Sequence, residues 1–310
     1  MHKARIKVIA SALLISSLIS LSTVFASAAS IAPNSLGEMN ISLDVDGREY
    51  KYLTGISNKN AWAYTRPTVS VGSTTASVKG LIINGVYYLP FRAVASAIPG
   101  STYSYDPATR TSTMRAAGLE IVAGDGCYVT YANGRTLFNT TPNVIMSDGR
   151  LYIPAAVFAK AVGMRVESSE GKISLLGAYS PLKSADGYYR EDEVFWLARI
   201  IHAESRGEPL IGQIAVGNVV LNRVRSAYYP NTIYGVIFDR KYGVQFSPVL
   251  DGTIYNTPGY NAILAAKICL EGYDVSEGAF FSLNTALATS SWIPRTREYA
   301  FTIGNHDFYK

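Results

Sequence analysis

In the first half of the chain, apolar and polar residues alternate over short stretches, whereas in the second half the apolar residues recur at helical spacing. The alternation contains an internal repeat. Asn84-Gly85-Val86-Tyr87-Tyr88-Leu89-Pro90 returns 64 residues later as Asp148-Gly149-Arg150-Leu151-Tyr152-Ile153-Pro154. Each copy predicts a tight Asn/Asp-Gly turn, a short strand, and a proline opening an amphipathic helix, over 91–97 and 155–162. Strands are predicted after each helix, at 102–105 with 111–114 and at 165–167 with 172–176. Between the copies, 119–122, 127–131 and 136–138 alternate around Gly-Asp-Gly and Asn-Gly turns, which predicts hairpins.

The stretch 177–187 is polar, carries Pro181 and Gly187 and has no apolar period, so it is expected to be a linker. Beyond it, helices are predicted at 190–205, 209–226 and 259–270. The second places Leu210, Ile214, Gly217, Leu221 and Val224 on one face, with Gly217 allowing a neighbouring helix to approach closely. The chain then reverts to predicted strands at 279–283, 292–293, 299–303 and 306–309, the last two forming a hairpin. The expected fold class is α+β: a strand-and-helix domain with an internal repeat, then a helix-rich domain carrying a small sheet.

The N-terminus changes the compartment. Lys3, Arg5 and Lys7 precede an uncharged apolar run from Val8 to Phe25 that closes with Ala26-Ser27-Ala28. This pattern predicts a secretory signal peptide over 1–28 and a secreted protein that works outside the cytoplasm; a membrane anchor is the alternative, and no stable one is expected. Removing the leader takes the formal charge from +5 to +2. Residues 29–176 then hold 13 Lys/Arg against 10 Asp/Glu, and 177–310 hold 12 against 13. Neither half offers the basic stripe that nucleic acid requires, so no nucleic-acid partner is expected. Cys127 and Cys269 fall in different expected domains and read as small buried hydrophobes, although a bridge is compatible with an oxidising compartment.

Candidate chemistry centres on His202-Ala203-Glu204-Ser205-Arg206-Gly207-Glu208-Pro209. Val194, Leu197, Ala198 and Ile201 form an apolar stripe, and Glu204 is its next position, so a carboxylate is aimed at the apolar side of a helix that Gly207 and Pro209 soon end. Burial would raise its pKa, and a neighbouring carboxylate at Glu208 would raise one of the pair further. A carboxyl kept protonated near neutral pH is the proton donor that glycosidic cleavage needs. From position alone, an ion pair of Glu204 with Arg206 or Arg199 at the helix end is the commoner cause of this pattern. No H-E-x-x-H, nucleophile triad or phosphate loop occurs, and the chain beyond the leader holds only His202 and His306, so no metal or other cofactor is expected.

Two resemblances sharpen this reading. Residues 40–176 resemble the copper amine oxidase N-terminal-like domain, a stalk module of secreted envelope proteins; with no histidine and one cysteine there, a spacer or adhesion role is expected rather than copper, with other cell-envelope components as its partners. The run Ala203-Glu204-Ser205-Arg206-Gly207-Glu208, then Gly212-Gln213-Ile214-Ala215-Val216, Val219-Val220-Leu221-Asn222-Arg223-Val224, Pro230-Asn231-Thr232-Ile233, Gln245-Phe246-Ser247, Trp292 and Ile303-Gly304-Asn305-His306, resembles the SleB-type cell wall hydrolases, the spore cortex-lytic enzymes of germination.

That second resemblance spans the domain at 188–310. It implies a lysozyme-like enzyme acting on peptidoglycan glycan strands at the bond between N-acetylmuramic acid and N-acetylglucosamine, in wall or spore cortex remodelling. It implies Glu204 as the single acid/base, and Glu208, Phe246, Ser247, Asn284, Trp292, Arg295 and His306 as residues lining the sugar groove. Apart from the resemblance, Phe246 and Trp292 read more readily as core aromatics than as sugar platforms. One acid/base favours a lytic transglycosylase over a water-using muramidase; a wall-binding protein that has lost activity is the alternative from another class.

Overall fold

The computed structural model describes residues 64–83, 85–138, 144–169, 171–241, 243–285, 288 and 291–310 in full; before residue 64 it describes only the backbone of strands Ile6–Val8, Glu38–Val45 and Arg48–Gly55, which form one antiparallel sheet. The apolar core and cleavage site of the expected signal peptide lie outside the described residues. The chain divides into two compact units, Met1–Tyr188 and Tyr189–Lys310.

In the N-terminal unit, the two copies of the repeat meet at the centre of a five-stranded sheet, where Val86–Pro90 pairs antiparallel with Arg150–Pro154. Asp148 and Gly149 both take positive φ, 50° and 68°, the conformation that an Asp-Gly hairpin turn requires. Each central strand leads into a helix, α1 at Phe91–Ser96 and α2 at Ala155–Val162. The helices bury Phe91, Val94, Phe158 and Val162 in one core with Val69, Leu89, Met114, Ile121, Ile153 and Ile173.

A second five-stranded sheet, all antiparallel, runs from Thr102–Asp106 to Arg135–Phe138 through the predicted hairpins, and a four-stranded sheet pairs Lys172–Leu176 in parallel with Thr68–Val71. Residues 177–187, expected as a linker, are instead strapped to this unit. The Ser180 and Leu182 amides donate to the carbonyls of Val162 and Ala161 at 2.9 and 3.1 Å, and Asn133 Nδ2 donates to the Leu182 carbonyl at 2.7 Å. Lack of apolar period says nothing about backbone groups that find partners on a neighbouring surface.

In the C-terminal unit, helices α3 (Glu191–Ser205), α4 (Leu210–Arg225) and α7 (Tyr260–Leu270) pack on one another, with the short helices α5 (Ile233–Ile237), α6 (Pro248–Asp251) and α8 (Trp292–Thr296) around them. α4 is buried on nearly every side, Gln213 and Asn218 included, rather than along the single stripe expected. It is sandwiched, and Gly217 makes this feasible: a Cβ there would lie 2.7 Å from Cys269 Sγ and 2.8 Å from Ile201 Cδ1. The sheet orders Phe281–Asn284, His306–Tyr309 and Tyr299–Ile303, with the expected hairpin between the last two in sequence.

The strand expected at 292–293 is the start of α8. Pro294 cannot donate to a ladder, whereas the Arg295 and Arg297 amides reach back to the carbonyls of Ser291 and Ile293, at 3.2 and 3.0 Å, to close helical turns. Among the described residues no helix is long and apolar enough to cross a membrane, and Cys127 and Cys269 are both free and buried.

Candidate active site

α3 buries Leu197, Ala198, Ile200 and Ile201, and the same stripe carries Glu204, half-buried, into the wall of a cleft of about 960 Å³. Arg223 of α4 lines the same cleft. Around them stand Tyr228 and Tyr229 beyond α4, Gln245, Phe246 and Ser247 before α6, Phe281 and Leu283 of the sheet, and Trp292 and Arg297 at either end of α8. Trp292 is 51% exposed and Tyr228 86%, so both rings stand at the rim of the cleft, whereas Phe246, at 7%, belongs to its wall. Arg297 lies 4.9 Å from the Trp292 ring centre and 4.8 Å from that of Phe281, fixing that rim.

Burial pushes the Glu204 carboxyl from 4.5 up to about 7; the Arg223 cation works against the rise and the Asp251 carboxylate adds to it. Neither arginine expected as an ion-pair partner takes Glu204. Arg199 Nη1 donates to the carbonyls of Tyr255 and Asn256, both at 2.6 Å, and its guanidinium sits over Phe195; Arg206 is exposed. Among the described residues, Glu204 has no ion pair within 4 Å. Arg223 is almost wholly buried, and burial lowers its pKa. Its Nε donates to the Phe280 carbonyl at 2.8 Å, rings of Phe246, Tyr229 and Phe281 lie 5.0–5.3 Å away, and its Nη1 has no hydrogen-bond partner.

Of the groove residues expected from the sequence, the structure brings Phe246, Ser247 and Trp292 together with Glu204, and not the other four. Glu208 is buried in the turn between α3 and α4, where it accepts from the Asn305 amide at 3.0 Å and from Asn305 Nδ2 at 3.2 Å. His306 Nδ1 lies 3.2 Å from Glu208 Oε1, off the line of a hydrogen bond. Glu208 therefore clamps the 304–306 turn onto the helices, and the carboxylate that raises the Glu204 pKa is Asp251, not Glu208. Asn284 pairs with His306 inside the sheet, and Arg295 is exposed on α8 outside the cleft. Sequence reasoning missed Arg223, Tyr228, Arg297 and Asp251. The signals for Arg223 were its place in the motif Val219–Val224 and a charge within a largely apolar helix.

Residues 207–309 match the family model described as cell wall hydrolase, and residues 69–176 that described as copper amine oxidase N-terminal domain. A spore cortex-lytic enzyme of Bacillus cereus is 43% identical over 122 residues, which are 39% of this chain and 46% of the relative; that of Bacillus subtilis is 38% identical over 122 residues, 39% of each. The solved catalytic domain of the germination-specific lytic transglycosylase SleB from Bacillus anthracis is 43% identical, covering 39% of this chain and 97% of that one, at a TM-score of 0.36. The chain spans less than half the length of these curated relatives.

Copper does not fit the N-terminal residues: residues 40–176 contain no histidine, and burial pushes the lone Cys127 thiol up to about 12. Among the described residues, no three His, Cys, Asp or Glu side chains gather as a metal site. By its matched motifs and the identity of its relatives, this chain carries at residues 207–309 a domain of the cell wall hydrolase family, preceded at residues 69–176 by one of the copper amine oxidase N-terminal type.

Proposed function

We propose that the C-terminal domain cleaves peptidoglycan glycan strands between N-acetylmuramic acid and N-acetylglucosamine as a lytic transglycosylase, with Glu204 as acid and then base. The observation that carries this is a carboxyl held near pKa 7 in an aromatic-rimmed cleft whose described lining includes no other acid. Hydrolysis with two carboxylates places one on each side of the scissile bond. With one, the economical sequence keeps the proton on the same residue. Glu204 gives its proton to the glycosidic oxygen, and the bond from that oxygen to the muramic C1 breaks. The resulting carboxylate takes the proton of the muramic 6-hydroxyl as that oxygen bonds to C1, which leaves a 1,6-anhydro end and consumes no water.

Arg223 sets the balance between the two roles. Its buried charge favours the carboxylate that forms once the proton has left, while burial favours the acid that begins the cycle. Trp292 and Tyr228 supply the ring faces for the sugars, and Ser247 a hydroxyl at the wall. The names of the relatives favour spore cortex as the source of the strands. The proposal includes export by the Lys3-to-Ala28 leader and work outside the cytoplasm.

A second reading has its own observation. Asp251 is near enough for its charge to be felt at Glu204, and hydrogen bonds from Thr253 hold it ionised, so it is the base that a water-using muramidase would employ. Digests of cortex and of vegetative sacculi, analysed by mass spectrometry, separate the two. Anhydro ends, with Asp251→Asn fully active, are expected. Reducing ends one water heavier, lost in Asp251→Asn, would establish the muramidase instead.

A further inference from the structure

The two copies of the N-terminal repeat are related by a local dyad. Leu89 faces Ile153, its own counterpart 64 positions away, and on either side of that pair Tyr88 faces Pro154 while Pro90 faces Tyr152, the exchange that a two-fold axis produces. α1 packs on the second copy's strand and α2 on the first's, as the dyad demands. Features required by packing recur on both sides of such an axis; a feature present on one side only has another cause.

On one side a cleft of about 520 Å³ opens between the start of α1, the turn at Asp148-Gly149 and the strand Thr102–Asp106. Arg92, Arg150, Tyr103 and Tyr105 line it. Their counterparts across the dyad are Ala156, Val86 and, because the second copy reaches its left-handed glycine one residue sooner (Gly163 against Gly100), Val166 and Ser168. The fold is therefore satisfied without either guanidinium and without the Tyr105 ring, whereas Tyr103, like Val166, packs on the core. Arg92 lies 5.9 Å from the centre of the Tyr103 ring, whose hydroxyl is fixed by Ser112 at 2.6 Å, and Tyr105 is 41% exposed beside it. Among the described residues neither Arg92 nor Arg150 has a carboxylate within 4 Å, and the one acid at the cleft, Asp148, is taken by Arg66.

We propose that this cleft binds an anionic saccharide of the cell wall, its anionic group on Arg92 and Arg150 and its ring against Tyr105. A guanidinium without an acidic partner pairs with carboxylate or phosphate through two parallel hydrogen bonds, and an exposed tyrosine offers a rigid face to the apolar side of a pyranose. Two wall sources share this chemistry: the lactyl carboxylate of muramic acid in the glycan strand, and the phosphate of a wall polymer. The inference rests on the wall-lytic reading for its choice of ligand; catalysis plays no part in its test, so the two fail separately.

The full chain carrying Glu204→Gln is cosedimented with purified sacculi and compared with the same chain also carrying Arg92→Gln and Arg150→Gln, and with one also carrying Tyr105→Ala. All three side chains are at the surface, and equal melting temperatures check that the fold is kept. At least roughly tenfold weaker binding is expected for both variants, with the arginine variant also losing most of its salt dependence. Sacculi stripped of phosphate polymers by hydrofluoric acid identify the source: a deficit that persists assigns the muramic carboxylate, and one that vanishes assigns the phosphate. Both variants binding both preparations as tightly as the parent would overturn the site.

Discussion

Replacing Glu204 by glutamine is expected to abolish activity and at the same time to stabilise the C-terminal unit, by an amount that grows as pH rises above about 4.5 and levels off past 7. The folded-state pKa of about 7 lies above the ordinary 4.5 because the buried site disfavours the charged form. Between those values the folded state holds a proton that the unfolded chain has released, so stability falls as pH rises from about 4.5 through 7 and then levels off. The full shift corresponds to roughly 3 kcal/mol. Water reaching the half-buried side chain reduces this to about 1–3 kcal/mol. Glutamine is neutral at every pH and keeps the shape, so it escapes the penalty. For a unit the size of Tyr189–Lys310, the gain is on the order of 5–10 °C in melting temperature near pH 9, vanishing near pH 4. Paired thermal melts across that range test the stability, and release of muropeptides tests the loss of about 10²-fold or more in rate. A melting difference that does not change with pH would refute the burial argument, and an active Glu204→Gln variant would refute the role.

In the wild type, the rate should fall about tenfold per pH unit above 7, and Arg223→Gln should move that limb to higher pH, because burial then acts unopposed on Glu204; a pH–rate profile reads both. Glu208→Ala removes the acceptor of both Asn305 hydrogen bonds that hold the 304–306 turn, and should cost about 1–3 kcal/mol in denaturant melts while the rate per folded molecule is kept. Gly217→Ala forces a methyl against Cys269 and Ile201, and should cost about 1–3 kcal/mol by the same measure. A fragment beginning at Tyr189 should fold and cleave alone; an insoluble or inactive fragment beside an active full chain would make the N-terminal unit part of the catalytic machinery.

Elements were legible where one local rule decided them. The period of α3, the Asp-Gly turn before Arg150 and the proline-opened α2 follow from dihedral preference and burial of one face, both carried by neighbouring residues. The segment 292–293 failed because Pro294 reads equally as the end of a strand and as part of a short helix. α4 was found, but its complete burial was not, since sandwiching between two helices is a property of the partners rather than of its own period.

The site divides in the same way. The sequence by itself determined that Glu204 continues an apolar stripe at a helix end, and so that a carboxyl would be drawn from water with its pKa rising. Only the tertiary structure decided which charges face it. Arg199 is taken by the carbonyls of Tyr255 and Asn256, Glu208 is turned into a clamp on Asn305, and Arg223, 19 positions on, and Asp251, 47 positions on, are brought to Glu204. Burial of a stripe is dictated by periodicity along one helix, whereas electrostatic partners are chosen by packing between helices, and that depends on contacts distant in the chain.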